Sequence, residues 1–366
     1  MHLAWLVFIP AAAYQALAIF AGLRHLRKPR PSDNLFRPGV SILKPIRGLD
    51  PNTYQAFVSQ AQQDYPEFEI LFGVHDEDDP AVPAIRQLES AFRIPVRIVV
   101  SRTDAPNGKI GVLIDLARHA SYPVWVVNDS DIKVTPSYLA QVIAPLSDLS
   151  IGVVTCPYRA FAHSVPTTWE ALGIATDFMP STIVAQQLGV REFGLGSTLA
   201  FRAQDLESVG GFAALADYLA DDYQLAKRIS GLGKRTILSS YVVETALGEG
   251  TWTGVWRHQL RWARTIRRSK GVGYAGLPIT HAGLWAFIAL FSGTWSIAVI
   301  LISLRICSAL VTGWFILRSR IAAAFAWLTP LWDLFAFTVW LGSYAGNQVR
   351  WRDRVLKIDK EGRIAR

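Results

Sequence analysis

The sequence predicts an α/β domain with a largely parallel sheet, set between apolar helices long enough to span a bilayer. Three observations carry this reading. Between residues 40 and 250, short runs rich in Val, Ile and Leu alternate with segments of helical spacing, the pattern of strand–helix–strand crossovers. Leu3–Leu23, Ala282–Leu317 and Ile321–Tyr344 are almost wholly apolar and are flanked by Arg and Lys, as spanning helices are. Finally, the apolar run Val124-Trp125-Val126-Val127 breaks abruptly into Asn128-Asp129-Ser130-Asp131. That puts two carboxylates just beyond a strand's carboxyl end, where open α/β sheets bind ligands.

Leu3–Leu23 is interrupted only by Gln15 and Pro10, and Arg24, His25, Arg27, Lys28 and Arg30 follow it. A cleaved signal carries its charges before the apolar run. The reversed order predicts a retained anchor over 1–24 whose C-terminal side faces the cytoplasm. Pro29, Pro31 and Pro38 make 25–39 a stiff linker. Strands are expected at Val40–Leu43, Glu69–Val74, Val96–Val100 and Val124–Val127, with another over Gly152–Tyr158 and a short one at Leu199–Phe201. Helices are expected at Thr53–Gln62, from Asp79-Pro80 to Phe92, over Ile110–Ala120 and from Leu219 to Ile229. Trp169–Leu188 is apolar enough to suggest a span, but Glu170, Asp177, Gln186 and Gln187 predict a buried or interfacial helix. Trp252–Arg268 interleaves Trp252, Trp256 and Trp262 with Arg257, Arg261, Arg264, Arg267 and Arg268, a composition suited to a membrane surface.

The organisation expected is therefore an anchor (1–24), a linker (25–39), a catalytic domain (40–250), an interfacial segment (251–280), two or three spans (281–345) and a basic tail (346–366). With both tail and catalytic part cytoplasmic, two spans suffice, and Arg318-Ser319-Arg320 becomes the outer turn. The two arginines there stand against the positive-inside rule. The formal net charge is +8 and mean hydropathy is +0.24. The positives gather beside the apolar runs, which points to anionic lipid and not to nucleic acid. Cys156 and Cys307 lie far apart, which excludes a disulfide scaffold and a cysteine zinc site.

Several side chains form a chemical series along the chain. Asp129 and Asp131 supply hard oxygens suited to Mg²⁺ or Mn²⁺, which bind through one or two carboxylates plus substrate phosphates. Asp76 ends a neighbouring strand and can accept hydrogen bonds from a base or ribose. Lys109 can place a point charge on the same phosphates. Asp221 and Asp222 begin a helix, where the dipole favours carboxylates. Asp221 suits helix capping, and Asp222 is the candidate general base. His258, Arg261 and Trp262 form the last motif.

This ordered series, with Ser41-Ile42-Leu43-Lys44-Pro45, Gln63-Asp64-Tyr65-Pro66, Asp78-Asp79-Pro80-Ala81-Val82 and Ala220-Asp221-Asp222-Tyr223, resembles a family 2-type inverting glycosyltransferase of the GT-A fold. More narrowly it is similar to the ceramide glucosyltransferase family, family 21, and its bacterial relatives, including hopanoid-biosynthesis glycosyltransferases. The resemblance implies a GT-A nucleotide-diphospho-sugar transferase fold, a Rossmann-like mixed sheet, with N- and C-terminal transmembrane helices. It implies that Asp76 contacts uridine, that Asp129 and Asp131 hold the metal and diphosphate, and that Asp222 meets the acceptor hydroxyl. His258, Arg261 and Trp262 then lie beside acceptor and diphosphate. The family has Gln or Arg where this chain has His258, and asparagines where it has Gly111-Val112. The activity implied is transfer of a hexose, glucose first, from a UDP-sugar to a ceramide-like lipid by an enzyme of the inner (plasma) membrane with its catalytic domain facing the cytoplasm. A hopanoid N-acetylglucosaminyltransferase, a polysaccharide synthase and a non-catalytic membrane scaffold are the alternatives.

Overall fold

The computed structural model describes residues 4–28, 36–50, 52–248, 250–351 and 354–365. Residues 29–35 of the expected linker, with Pro29, Arg30 and Pro31, lie outside them, as do Leu3, Arg352 and Arg366. The chain divides into two compact units. One comprises 29–158 and 190–246, and the other comprises 1–28, 159–189 and 247–366.

The first unit is built on a seven-stranded sheet. Its order is Val96–Val100, Phe68–Val74, Val40–Pro45, Val124–Val127, Leu199–Arg202, Ile151–Thr155 and Arg235–Leu238. The first four strands are mutually parallel, and Leu199–Arg202 runs antiparallel to both its neighbours. The sheet is thus mixed, as a Rossmann-like sheet with a reversed insertion must be. Strands Val40–Pro45, Phe68–Val74 and Val124–Val127 are buried along almost their whole length, which explains why their sequences read as continuous apolar runs without alternation. Helix Gly108–His119 lays Ile110, Val112, Leu113 and Leu116 on one face of the sheet, against Leu43, Leu71, Trp125 and Phe201. Trp125 stacks on Phe212 at 5.9 Å. The strand expected over Gly152–Tyr158 stops at Thr155. Pro157, two residues on, has no N–H to extend the ladder.

The second unit is helical, with a three-stranded sheet over 348–365. Val165–Gly173 and Met179–Gln187 are joined by a π-helical turn at Ile174–Phe178, so the expected buried helix is one rod with a wide turn. Trp252–Ser269 forms as expected. Two helices, Trp295–Ile316 and Arg320–Tyr344, are long and apolar enough to cross a membrane. The expected Ala282–Leu317 run is broken at Gly293, whose φ is +75°, after a shorter helix at Ala282–Phe291.

Helix Ile9–Leu26 runs parallel to Trp295–Ile316. Phe8 and Ala11 pack in one cluster with Ala298 and Leu301, Ser308 Oγ donates to Gln15 Oε1 at 2.5 Å, and Gly22 lies against Val311 and Ile316. The Arg318-Ser319-Arg320 turn was expected at the outer face. This packing places it at the same end of the bundle as Arg24 and Arg27.

Candidate active site

The site is assembled at the carboxyl edge of the parallel strands. Asp129 and Asp131 follow Val124–Val127, and Asp76 follows Phe68–Val74, with Val40–Pro45 paired between them. Asp76 is exposed, and its Oδ1 accepts the Asp78 amide at 3.0 Å. That contact is an Asx turn holding the strand-end loop, and it leaves the second oxygen to solvent.

Lys109 reaches the edge from the first turn of Gly108–His119. Asn107 caps that helix by accepting from the Lys109 and Ile110 amides at 3.1 and 3.4 Å. The preceding loop is tied down by Asp115, which accepts from Ser101 Oγ, the Arg102 and Thr103 amides and Thr103 Oγ1. Lys109 Nζ then sits between two carboxylates, 2.9 Å from Asp129 Oδ1 and 3.2 Å from Asp221 Oδ2. Although burial opposes the charge, Asp129 and Asp221 hold the ammonium above its usual range.

Asp129 is the open member, its side chain 48% exposed. Asp131 is more enclosed: its Oδ2 accepts from Thr245 Oγ1 at 2.5 Å and the Ala246 amide at 2.9 Å. Burial, then the neighbouring Asp129, push its carboxyl upward. The turn carrying both is pinned from beneath by Lys44, a fully buried lysine whose Nζ donates to Asn128 Oδ1 at 2.7 Å and Asp129 O at 3.0 Å. Burial lowers the Lys44 ammonium to about 7, against the pull of Asp131 and Asp129.

The loop entering Leu199–Arg202 closes the site. The Asp129 amide donates to Gly196 O at 3.2 Å, and the Gly196 amide donates to Asp222 Oδ2 at 3.1 Å. One residue therefore ties the Asp129 backbone to the candidate base. Side chains are excluded here: a Cβ at Gly196 would stand 3.0 Å from Asp129 Oδ2, and one at Gly194 would stand 2.5 Å from Asp222 O.

Helix Asp221–Ser230 begins with the two acids, and its N-cap is Ala220. The capping role expected for Asp221 is not what the side chain does. It pairs with Lys109, and Asn107 Nδ2 stands 3.4 Å from its Oδ1. Asp222 points instead to Gly196, with Oδ1 also accepting the Tyr223 amide at 2.7 Å. The dipole at the helix start favours the ionised form of Asp222. Burial first, then Asp221, raise its carboxyl well above the ordinary range, and Lys109 only partly offsets them. A carboxylate tuned toward neutrality is the better proton acceptor near neutral pH.

The structure thus brings Lys109, Asp129, Asp131 and Asp222 together, with Asp76 on the same sheet edge. His258, Arg261 and Trp262 belong to the other unit, on helix Trp252–Ser269. There Glu170 Oε1 accepts from His258 Nδ1 at 2.7 Å and from Gln259 Nε2 at 2.8 Å. The Trp262 ring meets His258 at 4.6 Å and Phe178 at 5.3 Å. Sequence reasoning missed Lys44, Thr245, Gly196 and the part played by Glu170. A lysine closing a buried strand was the one signal that could have flagged the first.

The donor set fits a hard divalent cation. It offers two carboxylates, one half-exposed, and no group of three or more His, Cys, Asp or Glu stands together among the described residues. A protein contribution of one or two oxygens, completed by phosphates and water, is how Mg²⁺ is usually held.

Comparisons with known proteins agree with this geometry. The model of Glycosyl transferase family 21 matches residues 3–364. Ceramide glucosyltransferase 1 of Caenorhabditis elegans is 28% identical over 223 residues, covering 60% of this chain and 47% of that protein. The ceramide glucosyltransferase of Gibberella zeae is 28% identical over 152 residues, covering 38% of this chain and 28% of that one. The chain spans about half the length, or less, of the curated relatives it matches. Among solved structures, the mannosyltransferase PcManGT from Pyrobaculum calidifontis, in complex with GDP-Man and Mn²⁺, superposes with a TM-score of 0.56 at 20% identity. That match covers 92% of this chain and 97% of the other, and the shared fold is GT-A.

Proposed function

The chain belongs to glycosyl transferase family 21, and on that premise we propose that it transfers glucose from UDP-glucose to the primary hydroxyl of a ceramide-like membrane lipid, with inversion. The observation that carries the reading is the Gly196 link. It sets a proton acceptor, Asp222, beside a cation-binding carboxylate, Asp129, on one rigid loop. Two relatives are named as ceramide glucosyltransferases, which supports the lipid acceptor and the glucosyl donor.

In this reading Asp222 takes the proton of the lipid hydroxyl as its oxygen bonds to the anomeric carbon. The bond from that carbon to the diphosphate oxygen breaks on the opposite face, and UDP departs. Asp129 and Asp131 hold Mg²⁺ or Mn²⁺, which when bound neutralises charge growing on the diphosphate. The Mn²⁺ in the PcManGT complex supports that assignment. Lys109 adds a fixed positive charge beside Asp129, and Asp76 binds the uridine. His258, Arg261 and Trp262 serve acceptor and diphosphate.

We read the protein as integral to the inner membrane, with spans over 1–24 and 281–345 and the C-terminal side of the first span facing the cytoplasm. Since Ile9–Leu26 and Trp295–Ile316 run parallel, Arg318 and Arg320 join Arg24 and Arg27 on that side.

Membranes containing the protein, incubated with labelled UDP-glucose and ceramide, are expected to yield a hexosylated lipid identifiable by mass spectrometry. No glycolipid and no UDP release with any hydroxylated lipid would overturn the proposal.

A further inference from the structure

Glu170 is a buried carboxylate with no part in the chemistry described so far. In the sequence it merely interrupts an apolar stretch. In the structure it is 3% exposed on helix Val165–Gly173, and Oε1 gathers two donors from one motif, His258 Nδ1 and Gln259 Nε2. A carboxylate at this depth persists only when charged or polar donors satisfy it. The His258 ring is held from a second direction by Trp262, edge-on at 4.6 Å, and Trp262 is itself backed by Phe178. The ring therefore has one orientation, with Nδ1 committed to Glu170. The His258 side chain is still 28% exposed.

When one imidazole nitrogen is committed to a carboxylate, that partner sets the tautomer, and the other nitrogen meets the ligand. We propose that Glu170 is a positioning residue for sugar transfer, fixing His258 with Nδ1–H toward the carboxylate and Nε2 as the nitrogen offered to substrate. The geometry explains how a histidine stands where the family carries Gln or Arg. Those side chains reach and donate on their own, whereas an imidazole ring must first be held in one orientation. The inference rests on the glycosyl-transfer reading for its kinetic consequence, but not for the tautomer.

The test uses the full chain in lipid nanodiscs, with Glu170→Gln, His258→Gln and the double variant. Long-range ¹H–¹⁵N spectra of histidine-labelled protein are expected to show His258, assigned by its loss in His258→Gln, with the proton on Nδ1. Glu170→Gln is expected to release that tautomer. An unchanged His258 signal in Glu170→Gln overturns the positioning role whether or not turnover is measurable. In kinetics with UDP-glucose, Glu170→Gln is expected to raise KM or lower kcat about tenfold, as loss of a charge-assisted hydrogen bond implies. In the His258→Gln background it should add less than about twofold, since the two act as one unit. Equal losses in both backgrounds would make Glu170 merely structural. Inactivity of the wild-type chain would count against the glycosyl-transfer reading, leaving the spectra to judge Glu170.

Discussion

Two cation–carboxylate clusters, one in each unit, are made from the same chemistry and end in opposite states. In the sheet unit, Lys109 is shared between Asp129 and Asp221, and Asp129 keeps half its side chain in solvent. In the helical unit, Arg305 and Asp333 are sealed at 3% and 0% exposure. Arg305 Nε and Nη2 both donate to Asp333, and Nη1 donates to Thr176 O at 2.7 Å. The Gly283 amide donates to Asp333 Oδ2 at 2.7 Å. The i+4 residue that would serve Thr176's carbonyl in an α-helix is Pro180, which has no N–H, so Arg305 fills a vacancy the sequence creates. A cluster whose donors and acceptors are used up holds helices together. One with carboxylate oxygens open to solvent remains available to a ligand. Exposure and satisfaction, not charge, separate folding from function here.

Substitutions can break that contrast from either side. The largest effect is expected at the open cluster. An Asp129→Asn, Asp131→Asn double variant should lose essentially all turnover and most cation-dependent UDP binding, with unfolding unchanged. Near-normal turnover would remove the metal assignment. At the sealed cluster the effect should fall on stability. Arg305→Met alone leaves Asp333 buried and unpaired and should cost roughly 3–5 kcal/mol, whereas Arg305→Met with Asp333→Leu should recover much of it. Thermal unfolding in detergent reads both. A double variant as unstable as the single one would mean the pair does more than neutralise itself.

A smaller effect concerns pH. Burial and Asp221 raise the Asp222 carboxyl, and a general base works only when ionised. The acid limb of kcat/KM should therefore lie above the ordinary carboxylate range, with turnover falling as pH drops through it. Asp221→Asn removes one group pushing Asp222 upward and should move that limb to lower pH, with a milder rate loss than Asp222→Asn. A limb that stays in place would dissociate Asp221 from the base. Smallest is Thr245→Val, which deletes the hydroxyl on Asp131 Oδ2. It should weaken metal affinity by about tenfold, as loss of an outer-shell partner does, detectable in Mn²⁺ titration of UDP binding.

Much of the sheet unit was legible because its physics is local. Val124–Val127 announces a buried strand, and the break into Asp129 and Asp131 marks its carboxyl end. What stayed hidden was set by long-range contacts. Nothing near Lys44 says that its ammonium will lie under Asn128, 84 residues away. Nothing near Asp221 says that Lys109 will claim it from the helix cap. The Arg318-Ser319-Arg320 turn was placed by counting spans, and only the packing of Gly22 against Val311 and Ile316 shows that it lies at the Arg24 end of the bundle. Arg305 and Asp333 are the lone charges in the runs Ala282–Leu317 and Ile321–Tyr344, yet their pairing needs the fold.

The most direct test is Asp222→Asn, because Asp222 lies in the open cluster but is not expected to hold the donor. Turnover with UDP-glucose and ceramide, UDP affinity and thermal unfolding should be measured on the same preparation. Turnover is expected to fall by about 10²–10⁴-fold, as loss of a general base implies, while UDP affinity and unfolding temperature stay within error of the parent chain. Undiminished turnover, or a turnover loss accompanied by equal losses of UDP binding and stability, would contradict the account.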